Sequence, residues 1–304
     1  MPDLAQFLHY IDAPEADVTT KNITVDGVRL VYDDDGTGMP LLFLHGGSAS
    51  ADYWESLVPM LLDDYRCLRL EFAGHGRSDR SPAGAYSIND QARAAIALLE
   101  QETGPAVIVG QSGGAATAFA AAAKRPELVR AIYCEDAYPG IYTAAWIGSN
   151  PFVRGFTATG EIFRSLPEGF SAAQLAAATG ATQRAPGLTM MDLLGPEAVA
   201  FMARIRLHTD PLYFDTVVDP GKYWTEDDVA AVIAAVRCPV HIAYGDLNTG
   251  SLVPETEIDA LVSAGMNVTR QHFPGASHVI TPFNTRAVHE DLRRFLAQLN
   301  PAAN

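Results

Sequence analysis

Short apolar runs alternate with longer stretches of helical spacing along most of this chain. Residues 21–25 and 28–32 alternate apolar and polar side chains around Asp26-Gly27, which signals a β-hairpin. Residues 33–38, Asp-Asp-Asp-Gly-Thr-Gly, read as a polar turn. Further strands are predicted over 41–44, 67–72, 106–109, 129–134, 239–244 and 267–273. Helical spacing marks 53–62, carried by Trp54, Leu57, Val58 and Leu61. It also marks 88–102, with Ser87 or Asn89 as cap, the Ala-rich 115–124, and 226–236, 254–264 and 285–299. An antiparallel opening hairpin followed by strand–helix units predicts an α/β fold: a mostly parallel, twisted, eight-stranded sheet with helices on both faces.

The alternation stops from about residue 137 to 223. That segment is rich in Ala, Gly and aromatic residues, among them Trp146, Phe156, Phe163, Phe170, Tyr213 and Phe214. It reads as a helical lid inserted after the sixth strand. The predicted organisation is an N-terminal arm over 1–19, a core over 20–136 and 224–304, and the insertion over 137–223. Phe7, Leu8, Tyr10 and Ile11 give the arm an apolar side that could cover the body or a neighbouring subunit.

Composition narrows the function classes. The 304 residues carry a formal net charge of −15, which argues against nucleic acid or an anionic membrane as partner. With 48% hydrophobic residues the chain supports a sizeable core. Cys67, Cys134 and Cys238 are widely spaced and read as small core residues, with no metal or disulfide pattern. No basic leader or long apolar run is present, so a cytoplasmic protein is expected. The eight histidines show no metal-ligand spacing with carboxylates, so neither metal nor cofactor is expected.

One stretch carries chemistry. Gly110-Gln111-Ser112-Gly113-Gly114 reads G-x-S-x-G, with a buried strand before it and a helix after it. A serine on so sharp a turn is presented out of the sheet, next to a helix N-terminus where developing negative charge is stabilised. Ser112 is therefore the candidate nucleophile.

Four motifs stand in order: His45-Gly46-Gly47, Gly74-His75-Gly76-Arg77-Ser78-Asp79, the serine turn, and Pro274-Gly275-Ala276-Ser277-His278. With them the chain resembles the α/β-hydrolase fold over roughly residues 20–299, and is also similar to bacterial lactonases that open macrocyclic polyketide lactones such as zearalenone. The resemblance implies His278 as the base. It implies the Gly113 and Gly47 N–H groups as oxyanion donors, with Gly46 as alternative. The 74–79 loop is read as structural.

The acid departs from the pattern. Most relatives carry it three residues past the Gly that follows the seventh strand, and that position here is Asn248. Asp136, just past the sixth strand, is the first choice, because some relatives place the acid there. Asp246 is the fallback, and Glu135 remains open. Glu71 has no ready explanation. Trp224, Tyr213 and Met190 are candidate substrate contacts. The expected activity is cofactor-free hydrolysis of a carboxylic ester, a lactone or a bulky apolar ester, through a Ser-His-Asp triad. A carbon–carbon diketone hydrolase, or a ligand sensor on the same fold, stands as alternative.

Overall fold

The computed structural model describes residues 18–142, 151–224 and 226–299. Most of the predicted arm and Trp146 lie outside the described residues. Eight strands form one sheet: β1 (Thr20–Val25), β2 (Val28–Gly36), β3 (Met39–Leu44), β4 (Tyr65–Leu70), β5 (Ala106–Gln111), β6 (Val129–Glu135), β7 (Val240–Tyr244) and β8 (Val268–His272). Their spatial order is β1-β2-β4-β3-β5-β6-β7-β8. The β1–β2 and β2–β4 pairs are antiparallel and all others parallel. Asp26 and Gly27 turn the opening hairpin with φ of 50° and 79°, the left-handed geometry of a tight hairpin turn.

Burial follows position in the sheet. Interior strands β5 and β7 are buried at every residue, whereas edge strand β1 buries Ile23 alone. Helix α1 (Ile88–Glu102) starts with a reciprocal cap: Asp90 N–H donates to Ser87 Oγ at 3.2 Å, and Ser87 N–H to Asp90 Oδ2 at 2.8 Å. Helix α2 (Gly113–Lys124) is buried from Gly113 through Ala122, since its alanines let it lie close on the sheet. On the opposite face the last helix inserts Val288, Leu292, Phe295 and Leu296, each contributing about 1.5–3 kcal/mol by leaving water.

Two expectations are corrected. Residues 33–36 continue β2 rather than forming a turn. Arg66, Arg69 and Arg77 reach their carboxylates: Arg66 binds Asp34 at 2.6 Å, Arg69 sits 3.3 Å from Asp33, and Arg77 binds Asp33 at 2.9 Å. Neutralised in this way, the acidic run pairs with β4. The stretch read as a helix over 53–62 is two short 3₁₀ turns, Ala51–Trp54 and Val58–Met60. Pro59 has no N–H to continue an α-helical ladder.

Between β6 and α9 (Glu226–Ala235), the described residues form α3 (Pro151–Ser165), α4 (Ala172–Gly180), α5 (Met190–Leu194), α6 (Pro196–Arg206), α7 (Pro211–Val217) and α8 (Pro220–Tyr223), with a small hairpin over 183–189. Rings knit this insertion together: Phe163 lies 5.1 Å from Phe214 and 5.3 Å from Phe170, centroid to centroid. Asp210 ties it to the core, accepting from Tyr86 at 2.6 Å and donating its N–H to the Gly74 carbonyl at 2.7 Å. Helices α10 (Glu255–Ser263) and α11 (Thr281–Leu299) complete the chain. No helix among the described residues is long and apolar enough to cross a membrane.

Candidate active site

Ser112 joins β5 to α2 with φ 50° and ψ −117°, a strained conformation for a residue with a side chain. Two features hold it there. Ser112 N–H donates to the Glu135 carbonyl at 3.1 Å, and its own carbonyl accepts from Ala115 and Ala116 N–H. A side chain at Gly114 would run into the Leu44 carbonyl, so the elbow requires glycine for close passage. The hydroxyl is not solvent-exposed, because Ser112 is only 4% accessible beneath the insertion.

Gln111 connects the serine turn to the histidine loop. Its amide nitrogen lies 3.1 Å from His278 Nε2 and 3.3 Å from the His278 carbonyl. On the other side of the ring, His278 Nδ1 lies 2.7 Å from Asp136 Oδ2. An Nδ1–H donated to the carboxylate leaves Nε2 as the acceptor, which suits the Gln111 amide. Asp136 has a positive φ of 48° and is fully buried. Ser251 Oγ donates to its Oδ1 and Leu252 N–H to its Oδ2 at 2.9 Å, so the carboxylate is satisfied on both oxygens.

Asp246 does not reach His278. Its carboxylate accepts from Gly275 N–H at 2.7 Å and lies 2.6 Å from His272 Nε2, at the surface. Glu135 has a different partner set. It accepts from Ile280 N–H at 3.0 Å, Thr281 N–H at 3.1 Å, Thr281 Oγ1 and Tyr53 OH. Burial raises the Glu135 carboxyl despite these donors. Two successive carboxylates thus hold one loop, Glu135 by its backbone and Asp136 by its imidazole.

Gly47 and Gly113 face each other. A methyl carbon built on Gly113 would lie 3.4 Å from Gly47 N and 2.8 Å from the Tyr223 hydroxyl, and one built on Gly47 would collide with the Tyr213 hydroxyl. The Tyr213 and Tyr223 hydroxyls are 3.0 Å apart. Tyr142 closes the group, its hydroxyl 3.4 Å from Ser112 Oγ. Trp224 packs beside it, ring centroids 6.1 Å apart. Met190 lies outside this group, half-buried at the start of α5, its N–H on the Thr182 carbonyl. Gln111, Tyr142 and Tyr223 were not singled out by sequence. A polar residue inside the elbow motif is the one signal that pointed to Gln111.

The remaining motif residues are structural. His45 Nε2 accepts from Phe72 N–H at 3.2 Å, and burial first, then His75, pushes its pKa down to about 3. Glu71 now has an account: it accepts from the Arg77 N–H at 2.7 Å and side chain at 3.0 Å, pinning the 74–79 loop. Among the described residues no group of three or more His, Cys, Asp or Glu is placed to hold a metal ion.

A strained serine between strand and helix, a histidine–aspartate pair on the loops beside it, and this strand order are the layout of a hydrolase. The chain belongs to the α/β-hydrolase fold family, whose model matches residues 39–285. It is 33% identical over 127 residues to a 2-(acetamidomethylene)succinate hydrolase of Mesorhizobium japonicum, covering 41% of this chain and 45% of that one. It is 31% identical over 119 residues to a haloalkane dehalogenase of Bradyrhizobium diazoefficiens, covering 38% of each. The chain therefore spans less than half the length of these curated relatives. Among solved structures, an E-2-(acetamidomethylene)succinate hydrolase superposes with a TM-score of 0.71 at 21% identity, over 92% of this chain and 99% of that one. Work on carboxylesterases of Nitrososphaera gargenis supplies another, with a TM-score of 0.75 at 19% identity, over 93% and 100%. At these identities the structures share the fold.

Proposed function

We propose that this hydrolase is a cofactor-independent serine esterase working through an acyl-enzyme, and that its substrate is a lactone or a bulky, largely apolar ester. The observation that carries the reading is the 2.7 Å contact between His278 Nδ1 and the buried Asp136 carboxylate, on the loop that Gln111 links to Ser112. His278 Nε2 exchanges the Gln111 amide for the Ser112 hydroxyl and takes its proton as Oγ bonds to the carbonyl carbon. The carbonyl oxygen becomes an oxyanion and accepts from the Gly47 and Gly113 N–H groups. The ester C–O bond breaks, and His278 returns the proton to the departing alkoxide. Water then attacks the acyl-enzyme with His278 as base. Asp136 holds the imidazole tautomer and balances the imidazolium. Residues 137–223 act as the lid, and Tyr213 and Trp224 serve as substrate contacts.

A panel of 4-nitrophenyl esters of rising chain length, macrocyclic lactones and a vinylogous diketone tests the reading. Esters or lactones are turned over, a fluorophosphonate labels Ser112, and Ser112→Ala lowers kcat by about 10⁴-fold or more. Turnover confined to the diketone, or hydrolysis that survives Ser112→Ala, overturns it.

A further inference from the structure

Ser112 Oγ has a hydroxyl neighbour that neither the triad nor the oxyanion glycines account for: Tyr142, at 3.4 Å. It ends the 3₁₀ turn Pro139–Tyr142, directly past Asp136. One short excursion of chain beyond β6 therefore brings both the carboxylate behind His278 and a phenol in front of Ser112. Two rings flank the phenol: Tyr223 stands edge-on at 5.4 Å and Trp224 lies at 6.1 Å. A buried tyrosine hydroxyl needs a polar partner, and here that partner is the reacting oxygen.

We infer that Tyr142 is a catalytic residue whose O–H donates to Ser112 Oγ when that oxygen carries negative charge, above all as it leaves the acyl-enzyme. The inference rests on the ester-hydrolase reading and deepens it. In deacylation, the water oxygen bonds to the acyl carbon while His278 Nε2 takes one of its protons. As the tetrahedral intermediate collapses, the C–Oγ bond breaks and its electron pair goes to Oγ. His278 Nε2 returns the proton to Oγ. Tyr142 shares its own proton with Oγ through the step and keeps it, so no extra acid or base is consumed. Burial first, and then Tyr223, hold the Tyr142 phenol well above its ordinary value of 10, so it remains a donor at working pH. The 3.4 Å separation is long for a hydroxyl pair. Such contacts tighten when charge develops in the transition state.

The test uses 4-nitrophenyl butyrate in stopped flow with the full-length protein. Tyr142→Phe is expected to lower kcat by about 10- to 100-fold, leave the first-turnover burst of nitrophenolate in place, and accumulate acyl-enzyme. A second variant carries 3,5-difluorotyrosine at position 142, which keeps the shape but has a more acidic phenol. Its kcat is expected to fall at lower pH on the alkaline side than that of the wild type. Wild-type kcat in Tyr142→Phe, or an unchanged pH profile in the fluorinated enzyme, overturns the inference. Should the Phe variant fail to fold or lose fluorophosphonate labelling, the fluorinated enzyme decides alone. Failure of the ester reading is separable: the wild-type protein would then neither turn over the ester nor be labelled, and both proposals would fall together.

Discussion

His278–Asp136 and His272–Asp246 are the same chemical pair, with nitrogen–oxygen separations of 2.7 and 2.6 Å. Both aspartates follow neighbouring strands of one sheet, β6 and β7. Their surroundings differ. The Asp136 side chain is fully buried and its histidine 10% exposed, whereas Asp246 is 33% and His272 42% exposed. Asp136 also receives Ser251 Oγ and Leu252 N–H, so its charge is fixed and aimed at one imidazole. Asp246 divides its carboxylate between His272 and the Gly275 N–H in a screened, wet setting. Exposed ion pairs contribute little because water competes for both partners. Distance therefore does not distinguish the buried carboxylate from the surface one. Burial and the additional donors do.

The largest effect that separates the two pairs is expected from Asp136→Asn. The amide offers His278 Nδ1 no negative charge, so kcat should fall by about 10⁴-fold, and its NH₂ faces the donors that Asp136 accepts from, so the melt should also show a loss of about 1–3 kcal/mol. Steady-state kinetics beside a thermal melt checks this. An intermediate effect is expected from Glu135→Gln. Glu135 accepts from two backbone N–H groups and two hydroxyls, and an amide oxygen cannot serve them all while its NH₂ seeks acceptors of its own. Urea unfolding should show a loss of about 1–3 kcal/mol. kcat should fall far less than for Asp136→Asn, since Glu135 acts on the loop and not on the ring.

The interior parallel strands were legible in the sequence because doubly covered strands appear as apolar runs. The acidic end of β2 was not, because its partners Arg66, Arg69 and Arg77 lie 30 or more residues away and cancel charges that locally read as a turn. The sharp strand–helix turn at Ser112 and the loop that carries His278 were legible because each is marked by glycine at a fixed place in the chain order. The choice between Asp136 and Asp246 stayed open because it depends on features no local pattern encodes. These are the positive φ of Asp136 and its contacts with Ser251 and Leu252, more than 100 residues further on. Tyr142 and Tyr223 escaped notice for the opposite reason: a tyrosine in a helical or turn segment looks like any core ring. Only the folded chain brings their hydroxyls to Ser112 and Gly113.

The smallest effect, and the sharpest check on the comparison, is expected from Asp246→Asn. Activity near neutral pH should stay within about twofold of wild type, because the Asp246 carboxylate holds His272 and the Gly275 N–H and not the His278 ring. Stability carries the signature instead. The Gly275 N–H first, and then His272, hold the Asp246 carboxyl below its ordinary value of 3.8. A carboxyl depressed in the folded state stabilises the protein above its unfolded value, and that contribution disappears as pH falls through the folded value. The melting temperatures of wild type and Asp246→Asn should therefore differ slightly near neutral pH and converge as the solution is acidified below the ordinary carboxyl value of 3.8. A melt series over that range reads the convergence. If kcat instead fell by orders of magnitude while Asp136→Asn left it intact, the buried pair would lose its role to the exposed one, and burial would not be the feature that marks the working carboxylate.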